Sequence, residues 1–408
     1  MYIQRALEQT ILKYLRTREI IAVVGPRQCG KTTLLRHIHA QLENAAYIDF
    51  EQRDKLELFE SDLQAFLRLH LKGKDYLFID EFQYARQGGK RLKEIFDHQR
   101  IKILVTGSSS SELAIEGIQY LVGRVFVFRL YPLSFSEFLS YRDNVMLEEV
   151  FGQQVHSAPV VRQLNAYLDE YLVYGGYPRV VLSEDEEEKQ LVLRNIYDTY
   201  FLKDIRTLFQ LAADHKLSRL IQSLALQVGG LVNYNELGTL AGLTYHDLKV
   251  HLNILCKTFI TRETRPYYSN PRLELVKSPK FYFVDNGFRN TAARNFQPVG
   301  ERSDAGALRE NFVASELIKS ERDFNFWRTK SKAEVDFVFQ HQGRVLPIET
   351  KSKLDQPKMT RAFHSFVDKY APREGWILNE GLFATKQVKD TSIHWLPIYH
   401  LAARLNGL

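Results

Sequence analysis

The sequence has few cysteines and lacks a long uninterrupted apolar stretch. Its two cysteines, Cys29 and Cys256, lie far apart, which argues against a disulfide framework and against a cysteine-ligated metal site. No apolar run approaches the roughly 18 residues of a membrane-spanning helix. The amino-terminal segment is amphipathic and has no signal-peptide core. We therefore expect a cytoplasmic protein that does not enter a membrane.

Internal repeats, low-complexity tracts and long linkers rich in proline, glycine and serine are also absent from the 408 residues. A chain of this length exceeds what one hydrophobic core organises, so we expect roughly two to four domains. The formal net charge of +6 is a mild lean toward polyanionic partners. Charge alone decides nothing about function.

The segment from Ile20 to Leu35 joins an apolar β-branched run, a loop bounded by glycines and a helix-forming stretch. The loop has the spacing G-x-x-x-x-G-K-[ST], whose backbone N–H groups surround phosphates. In this pattern Lys31 contacts the β- and γ-phosphates and the Thr32 hydroxyl reaches Mg²⁺. We expect ATP as the ligand, with Cys29 packed rather than reactive. The predicted nucleotide-binding residues are Gly25, Pro26, Arg27, Gln28, Cys29, Gly30, Lys31, Thr32 and Thr33.

A second apolar run, Tyr76 to Glu81, ends in two acidic residues, as expected for the strand that completes a phosphate-binding site. We expect Asp80 to hold Mg²⁺ and Glu81 to polarise the water that attacks the γ-phosphate. A third predicted strand, residues 101–105, leads into hydroxyl-bearing residues. Of these, Ser108 is expected to contact the γ-phosphate, and a plain turn is the alternative.

Strand and helix signals alternate from Ile20 to about Phe135, which predicts a doubly wound α/β sheet with nucleotide at the carboxyl ends of its strands. Helical periodicity then extends to Gln210, interrupted by Tyr174–Arg179, and predicts a lid. We predict four domains. They are a P-loop core at residues 1–140, a helical lid at 141–212, a winged helix-turn-helix at 213–298 and a C-terminal α/β domain at 299–408.

The winged-helix prediction rests on three helical stretches followed by two strand-like ones, namely Leu217–Val228, Tyr234–Ala241, Tyr245–Lys257, Phe259–Arg265 and Leu273–Val284. Thr244 is expected to cap the third helix. The outward residues of that helix, Tyr245, His246, Lys249, His251 and Asn253, could reach a DNA major groove. The basic residues near the wing, Arg262, Arg265, Arg272, Lys277 and Lys280, suit phosphates. The alternative is a module that serves packing or protein contacts.

A β-hairpin is predicted within Trp327–Lys353, with a two-residue turn at Gln342–Gly343. This turn places Phe337 opposite Ile348 and Phe339 opposite Leu346, which forms an apolar face. A shift of one residue would dissolve the arrangement.

On the opposite face of this hairpin, Asp336 is predicted opposite Glu349, and Glu334 opposite Lys351, with Cβ atoms about 5 Å apart. Two carboxylates this close repel, and a divalent cation between them would remove the repulsion. Lys351 could orient a water molecule or stabilise a transition state. The alternative is a surface ion pair between Glu334 and Lys351.

In combination, the segments GPRQCGKTTL, LFIDEFQ, VTGSSS, LVGR, LYPLSFSEF and YGGYP resemble the landmarks of prokaryotic AAA+ ATPases of the AAA_14 type with a C-terminal DUF4143 region. The resemblance covers nearly the whole chain. It implies that Arg124 is an arginine finger or sensor and that Pro178 packs against the nucleotide base. An arginine supplied in trans would imply a homo-oligomer. An ordinary surface charge is the alternative for Arg124.

The D…E-x-K arrangement resembles the PD-(D/E)xK nuclease superfamily over roughly residues 305–355. The resemblance implies catalytic roles for Asp336, Glu349 and Lys351, and Glu310 as a further metal ligand. It also implies a second divalent ion, Mg²⁺ or Mn²⁺. Val335 departs from the pattern, because the superfamily motif has proline before the first carboxylate.

These features predict an ATP-binding and ATP-hydrolysing AAA+ protein that acts on DNA through a winged helix and a metal-dependent, nuclease-like C-terminal domain. The alternative is a nucleotide-gated switch whose nuclease-like domain is inactive and serves protein or DNA binding.

Overall fold

The structure is a computed structural model and describes residues 2–108, 118–152, 156–199, 214–341 and 343–406. The chain forms two compact units. One contains residues 1–133, 198–211 and 257–259, and the other contains residues 134–197, 212–256 and 260–408. The boundaries of the four predicted domains stay predictions.

The first unit contains a five-stranded parallel sheet in the order β2-β3-β4-β1-β5, which confirms the predicted doubly wound α/β core. Its strands are β1 Ile20–Gly25, β2 Ala45–Asp49, β3 Tyr76–Asp80, β4 Lys102–Ser108 and β5 Val125–Arg129. Its helices are α1 Ala6–Tyr14, α2 Lys31–His39, α3 Arg53–Ser61, α4 Leu63–His70 and α5 Gly88–His98. Short 3₁₀ segments occur at Phe82–Tyr84 and Ile118–Leu121.

Both faces of this sheet are covered, which explains why β1 is apolar at successive positions. Ile20 and Ala22 belong to one hydrophobic cluster, whereas Ile21 and Val23 belong to another. Side chains alternate between the two faces of a strand, so a central parallel strand reads as a continuous apolar run.

The second unit begins with helices that include the predicted lid region. They are α6 Phe135–Arg142, α7 Asn144–Gly152, α8 Ala158–Tyr174, α9 Pro178–Val181 and α10 Glu186–Thr199. Asp285 ties the Tyr174–Pro178 turn to a later segment, because its Oδ2 accepts a hydrogen bond from Gly176 N at 2.8 Å.

Three further helices precede a two-stranded antiparallel sheet, in the predicted order. The helices are α11 Asp214–Leu226, α12 Tyr234–Ala241 and α13 Tyr245–Lys257, and the strands are β6 Thr261–Thr264 and β7 Lys280–Phe283. The bounds of α12 and α13 are as predicted, and Thr244 caps α13 by accepting from Asp247 N at 3.2 Å. The predicted second strand was too long, because its first part forms helix α14, Pro271–Val276. Asn270 caps this helix and Pro271 begins it, and both favour a helix start.

The remainder of the second unit contains a six-stranded mixed sheet in the order β12-β13-β11-β10-β9-β8. Its strands are β8 Phe324–Arg328, β9 Glu334–His341, β10 Arg344–Thr350, β11 Glu374–Asn379, β12 Ala384–Val388 and β13 Thr391–Pro397. The accompanying helices are α15 Asn286–Ala293, α16 Ala305–Lys319, α17 Arg361–Tyr370 and α18 Leu401–Asn406, with 3₁₀ segments at Val299–Glu301 and Ile398–His400.

The β9–β10 register confirms the predicted apolar face of the hairpin. Phe337 pairs with Ile348 and Phe339 pairs with Leu346. All four side chains are buried. The apolar alternation therefore determined the register, since a slip of one residue would have turned these side chains to the other face.

None of the helices in the described part of the chain is long and apolar enough to cross a membrane.

Candidate nucleotide and carboxylate sites

The phosphate loop joins the carboxyl end of β1 to the first turn of α2. Gln28 and Gly30 have left-handed backbones, with φ of 59° and 97°. Such alternation directs successive N–H groups into one concave nest that suits an anion. Lys31 is buried, and its ammonium donates to Gly25 O at 3.0 Å and Pro26 O at 2.7 Å. The lysine is thus held against the loop that the sequence assigned to phosphate.

Gly25 has no room for a side chain. A Cβ atom there would lie 2.0 Å from the carbonyl oxygen of Leu130. Cys29 is fully buried, and its thiol donates to the same carbonyl at 3.2 Å. The packed role predicted for Cys29 is therefore confirmed.

Asp80, at the end of β3, collects donors from neighbouring strands and from α2. Thr32 Oγ1 lies 3.2 Å from Asp80 Oδ1, and the Tyr47 hydroxyl donates to Oδ2 at 2.7 Å. The Thr106 hydroxyl, on β4, also donates to Oδ1. A hydroxyl and a carboxylate side by side are a suitable ligand pair for Mg²⁺, so these residues fit the predicted ion.

Glu81 follows in a left-handed conformation, with φ 53° and ψ 44°. Its N–H donates to Thr106 Oγ1 at 3.1 Å, and its carboxylate accepts from the Gln83 side chain. Burial raises the pKa of Glu81, although Gln83 and the charge of Lys31 oppose the rise. A carboxylate with a raised pKa is a better proton acceptor near neutral pH.

The second site lies around Asp336 on β9. The β9–β10 pairing ends at Phe337 and Ile348, and beyond it Asp336 Oδ2 accepts a hydrogen bond from Thr350 N at 2.7 Å. Burial raises the pKa of Asp336 above its usual range, and the charges of Glu310 and Glu349 raise it further. The charges of the other two predicted metal ligands, Glu310 and Glu349, therefore act on Asp336.

Glu349 is 2 % exposed and already has protein partners. The Thr360 hydroxyl lies 3.0 and 2.9 Å from its two oxygens, and Lys351 Nζ lies 2.9 Å from Oε1. Burial would lower the pKa of Lys351, but the adjacent Glu349 carboxylate outweighs this effect and raises it. Lys351 is therefore a fixed positive charge beside the carboxylates.

The predicted opposition of Glu334 to Lys351 was wrong. Glu334 pairs with Arg328 of β8, whose NH1 lies 2.5 Å from Oε2, and with Lys280, whose Nζ lies 2.6 Å from Oε1. Arg328 and the buried Lys280 are therefore the ionic partners of Glu334, in place of the predicted Lys351.

Glu310, on α16, is held by two residues of β7. Its Oε1 accepts from Lys280 Nζ at 3.1 Å and from the Tyr282 hydroxyl at 2.6 Å. Burial would lower the pKa of Lys280, yet the charges of Glu310 and Glu334 outweigh it and raise the pKa. Among the described residues, no three or more histidine, cysteine, aspartate or glutamate side chains are placed so that they could hold a metal ion.

Family models match three consecutive parts of the chain. The model of an AAA domain of the AAA_14 type matches residues 17–139, that of the domain of unknown function DUF8612 matches residues 165–299, and that of DUF4143 matches residues 305–401. The uncharacterized protein MJ1544 of Methanocaldococcus jannaschii is 31 % identical over 377 residues, with 85 % of this chain and 78 % of the relative covered.

The chain belongs to the family of AAA_14-type AAA proteins with a DUF4143 region. An uncharacterized protein of Haemophilus influenzae is 27 % identical over 365 residues, which cover 85 % of this chain and 86 % of the relative. Among solved structures, the Walker-type ATPase PABY2304 of Pyrococcus abyssi aligns with a TM-score of 0.47 and 15 % identity, over 71 % of this chain and 96 % of that one.

Arg124 of this AAA protein lies at the amino-terminal edge of the sheet, because its carbonyl accepts from Ile20 N at 2.8 Å, where β1 begins. The phosphate loop follows the opposite end of β1. A strand rises about 3.3 Å per residue, so the two ends of β1 lie roughly 17 Å apart. Arg124 Nε instead contacts Asp97 Oδ1 at 3.2 Å. The structure thus excludes action on the nucleotide of its own subunit, and action in trans stays a prediction.

Other predicted residues stay untested. Pro178 begins helix α9 and is half-buried in the second unit, so its contact with a nucleotide base remains a prediction. Ser108 ends β4, but its side chain lies outside the described residues.

Two residues predicted to face nucleic acid are instead turned inward. His251 is buried and its Nδ1 lies 2.6 Å from Asp247 O, one helical turn away. The ammonium of Lys280 is paired with the carboxylates of Glu310 and Glu334. Tyr245, His246 and Asn253 are exposed as predicted, whereas Lys249 lies over the ring of Tyr234 at 3.7 Å.

Sequence reasoning missed several contacts that support these sites. Thr106 and Tyr47 hold Asp80, and Arg5 donates to Cys29 O at 2.8 Å and to Tyr131 O at 2.6 Å, which braces the back of the phosphate loop. A buried arginine or lysine has no local signal that separates it from a surface charge. Thr106 had one signal, because it directly follows the apolar run of β4.

Proposed function

We propose that this AAA protein hydrolyses ATP and uses its C-terminal domain as a metal-dependent site that acts on DNA. The observation that carries the proposal is a group of charged side chains around Asp336 of β9, namely Glu310 of α16, Glu349 of β10 and Lys351, which directly follows β10 and lies 2.9 Å from Glu349. The AAA domain would bind and hydrolyse ATP, and the carboxylate site would act on a DNA phosphodiester.

In the nucleotide site, the loop N–H groups and Lys31 would bind the phosphates. Thr32 and Asp80 would hold Mg²⁺, which neutralises charge on the phosphates. Glu81 would orient and deprotonate the attacking water, a role that its burial favours by raising its pKa. Thr106 would keep both acidic residues in place through its contacts with Asp80 and with Glu81 N–H.

In the carboxylate site, Asp336 and Glu349 would hold Mg²⁺ or Mn²⁺, since carboxylate oxygens suit such hard cations. The ion supplies Lewis-acid activation of a phosphodiester. Asp336 keeps partial access to solvent, whereas Glu349 is buried. Lys351 would stabilise the negative charge that develops on the phosphate during attack.

The test is cleavage of linear, branched and single-stranded DNA with Mg²⁺ or Mn²⁺, with and without ATP. Asp336→Asn should abolish cleavage, while the matched variant Asp355→Asn should leave it unchanged, because Asp355 is an exposed carboxylate of the same domain. Cleavage that persists in Asp336→Asn would contradict the proposal.

A second candidate function has its own support. Glu310 and Glu349 are already engaged by Lys280 and Lys351 of the same chain, which favours a nuclease-like domain that binds without cleaving. The protein would then be a nucleotide-gated switch that binds DNA or a protein partner. No cleavage by wild type under any condition would favour this function.

The salt dependence of binding separates these two partners. Affinity for DNA through phosphate contacts should fall by orders of magnitude between about 50 and about 200 mM salt, whereas an apolar protein interface should change little. On the proposed DNA-binding face, exposed His246 and Asn253 of α13 are the side chains expected to reach base edges.

A further inference from the structure

Lys280 enters the carboxylate site from a strand that precedes the predicted C-terminal domain. It begins β7, and its side chain is 1 % exposed. Its Nζ lies 2.6 Å from Glu334 Oε1 and 3.1 Å from Glu310 Oε1. Two residues along the same strand, the buried Tyr282 donates its hydroxyl to Glu310 Oε1 at 2.6 Å. Both residues of β7 therefore converge on one oxygen of Glu310.

This arrangement saturates that oxygen. A carboxylate oxygen has two lone pairs in the plane of the group, and the ammonium and the phenol take both. A divalent cation that used Glu310 Oε1 would have to displace at least one of these donors. Glu310 is therefore committed to Lys280 and Tyr282, which is consistent with the absence, among the described residues, of three or more acidic, histidine or cysteine side chains placed to hold a metal ion.

An ammonium buried this deeply is stable only with close compensation, because transfer of a charge out of water costs several kcal/mol. Lys280 obtains that compensation from Glu310 and Glu334. In return it neutralises carboxylates that would otherwise repel one another and Asp336. The lysine therefore does for the site electrostatically what a divalent cation would do.

We propose that Lys280 is an internal counter-cation of the carboxylate site, which competes with a divalent metal ion for Glu310 and so sets the metal affinity. The inference rests on the proposed function, because it concerns the same site. It assigns to β7 a positioning role there, with Tyr282 as its assistant. Displacement of Lys280 from Glu310 is then the event that opens the site to metal.

A purely structural ion pair would predict different behaviour. In that case, removal of the Lys280 charge would destabilise the fold equally with and without metal. A counter-cation that competes with metal predicts the opposite coupling, in which loss of the lysine strengthens metal binding and added metal restores the lost stability.

The experiment is calorimetric titration of the full chain with Mn²⁺ after treatment with a chelator, together with melting curves in chelator and in Mn²⁺. Lys280→Met should bind Mn²⁺ at least about tenfold more tightly than wild type, since a unit charge close to the ion is removed. It should also melt below wild type in chelator and recover in Mn²⁺. Lys280→Arg, which keeps the charge, should bind like wild type.

Lys386→Met is the matched control, because Lys386 is an exposed lysine on β12 and its removal should leave Mn²⁺ affinity unchanged. Tyr282→Phe keeps Lys280 and frees one lone pair of Glu310, so it should tighten Mn²⁺ binding severalfold. If Lys280→Met does not fold, the Mn²⁺ affinity of Tyr282→Phe tests the inference instead. Unchanged or weaker Mn²⁺ binding in the folded variants overturns the inference.

The outcomes also separate this inference from the proposed nuclease function. If wild type cleaves DNA and Lys280→Met binds Mn²⁺ no more tightly, the counter-cation role is wrong and the nuclease proposal stands. If Lys280→Met binds Mn²⁺ and wild type does not, the counter-cation role holds. The wild-type protein would then not be a metal-dependent nuclease under these conditions. If no variant binds Mn²⁺, both fall.

Discussion

At the scale of single residues, Asp80 and Asp336 show two ways of holding a carboxylate in a protein. Asp80 is surrounded by hydroxyl donors from Thr32, Tyr47 and Thr106, which satisfy its negative charge. Burial and the nearby charge of Glu310 raise the pKa of Asp336, although the hydrogen bond that it accepts from Thr350 N opposes the rise. The first arrangement fixes the position of Asp80 beside the Thr32 hydroxyl, and the second suits a ligand that gives up its proton when a cation binds.

Lys31 and Glu81 of the AAA domain give the first prediction. Lys31→Ala should abolish tight ATP binding, because the loop loses its fixed cation. Glu81→Gln should retain ATP but reduce hydrolysis by at least about a hundredfold, because the amide cannot accept a proton. Nucleotide binding and phosphate release measure the two effects. Lys72→Ala, at an exposed lysine, is the control, and normal turnover by Glu81→Gln would remove Glu81 from its role.

The raised pKa of Asp336 gives a prediction about stability and pH. In the unfolded chain an aspartate loses its proton near about pH 3.9, whereas folded Asp336 keeps it to higher pH. The folded state therefore binds more protons in this window, and its stability falls as pH rises above about 4. Asp336→Asn cannot titrate, so it should melt higher than wild type in chelator, by a margin that grows toward neutral pH.

Melting curves in chelator at several pH values measure this margin. Asp355→Asn provides the reference for removal of an exposed carboxylate of the same domain. Parallel pH profiles of wild type and Asp336→Asn would show that the pKa of Asp336 is not raised.

At the scale of elements, the end of α8 and the start of α15 fit together without space between their backbones. Asp285 caps α15 by accepting from Phe288 N at 3.0 Å and also accepts from Gly176 N at 2.8 Å. Asn290 donates to Leu172 O and Val173 O, which satisfies carbonyls in the last turn of α8. The contact is so close that neither Gly175 nor Gly287 has room for a side chain.

Gly287 gives the prediction at this scale. A Cβ atom there would lie 2.1 Å from Tyr174 O and 2.5 Å from Tyr174 C, which are backbone atoms that cannot rotate away. Gly287→Ala should lower the free energy of unfolding by about 1–3 kcal/mol, measured by denaturant titration. Gly306→Ala is the control, because Gly306 lies in α16 with open space around its Cβ position. That variant should be neutral or up to about 1 kcal/mol more stable.

Comparison with the sequence predictions at this scale separates two kinds of element. The helices Tyr234–Ala241 and Tyr245–Lys257 and the β9–β10 register were predicted because periodicity and capping residues specify them locally. The wing was predicted less well. The stretch before β7 carries both apolar residues and a proline helix start, and an apolar run alone does not separate a short helix from a strand.

At the scale of the whole molecule, the prediction concerns communication between nucleotide and the C-terminal half. If the AAA domain acts as a switch, ATP should change the amide hydrogen exchange of the Tyr177–Pro178 turn and of residues within 214–406. Lys31→Ala should eliminate the change, because it should not bind ATP tightly. Exchange in residues 214–406 that is identical with and without ATP would contradict the coupling.

By itself the sequence determined the phosphate loop, the acidic pair after β3, the parallel core, the helices of the middle region and the hairpin with Asp336 and Glu349. These features follow from spacing and periodicity, which act between residues close in the chain. The tertiary structure decided that Lys280 holds Glu310, that Thr106 and Tyr47 hold Asp80, and that Arg124 lies at the far edge of the sheet. Those contacts join distant segments, and their partners are chosen by packing and by the need to compensate buried charge.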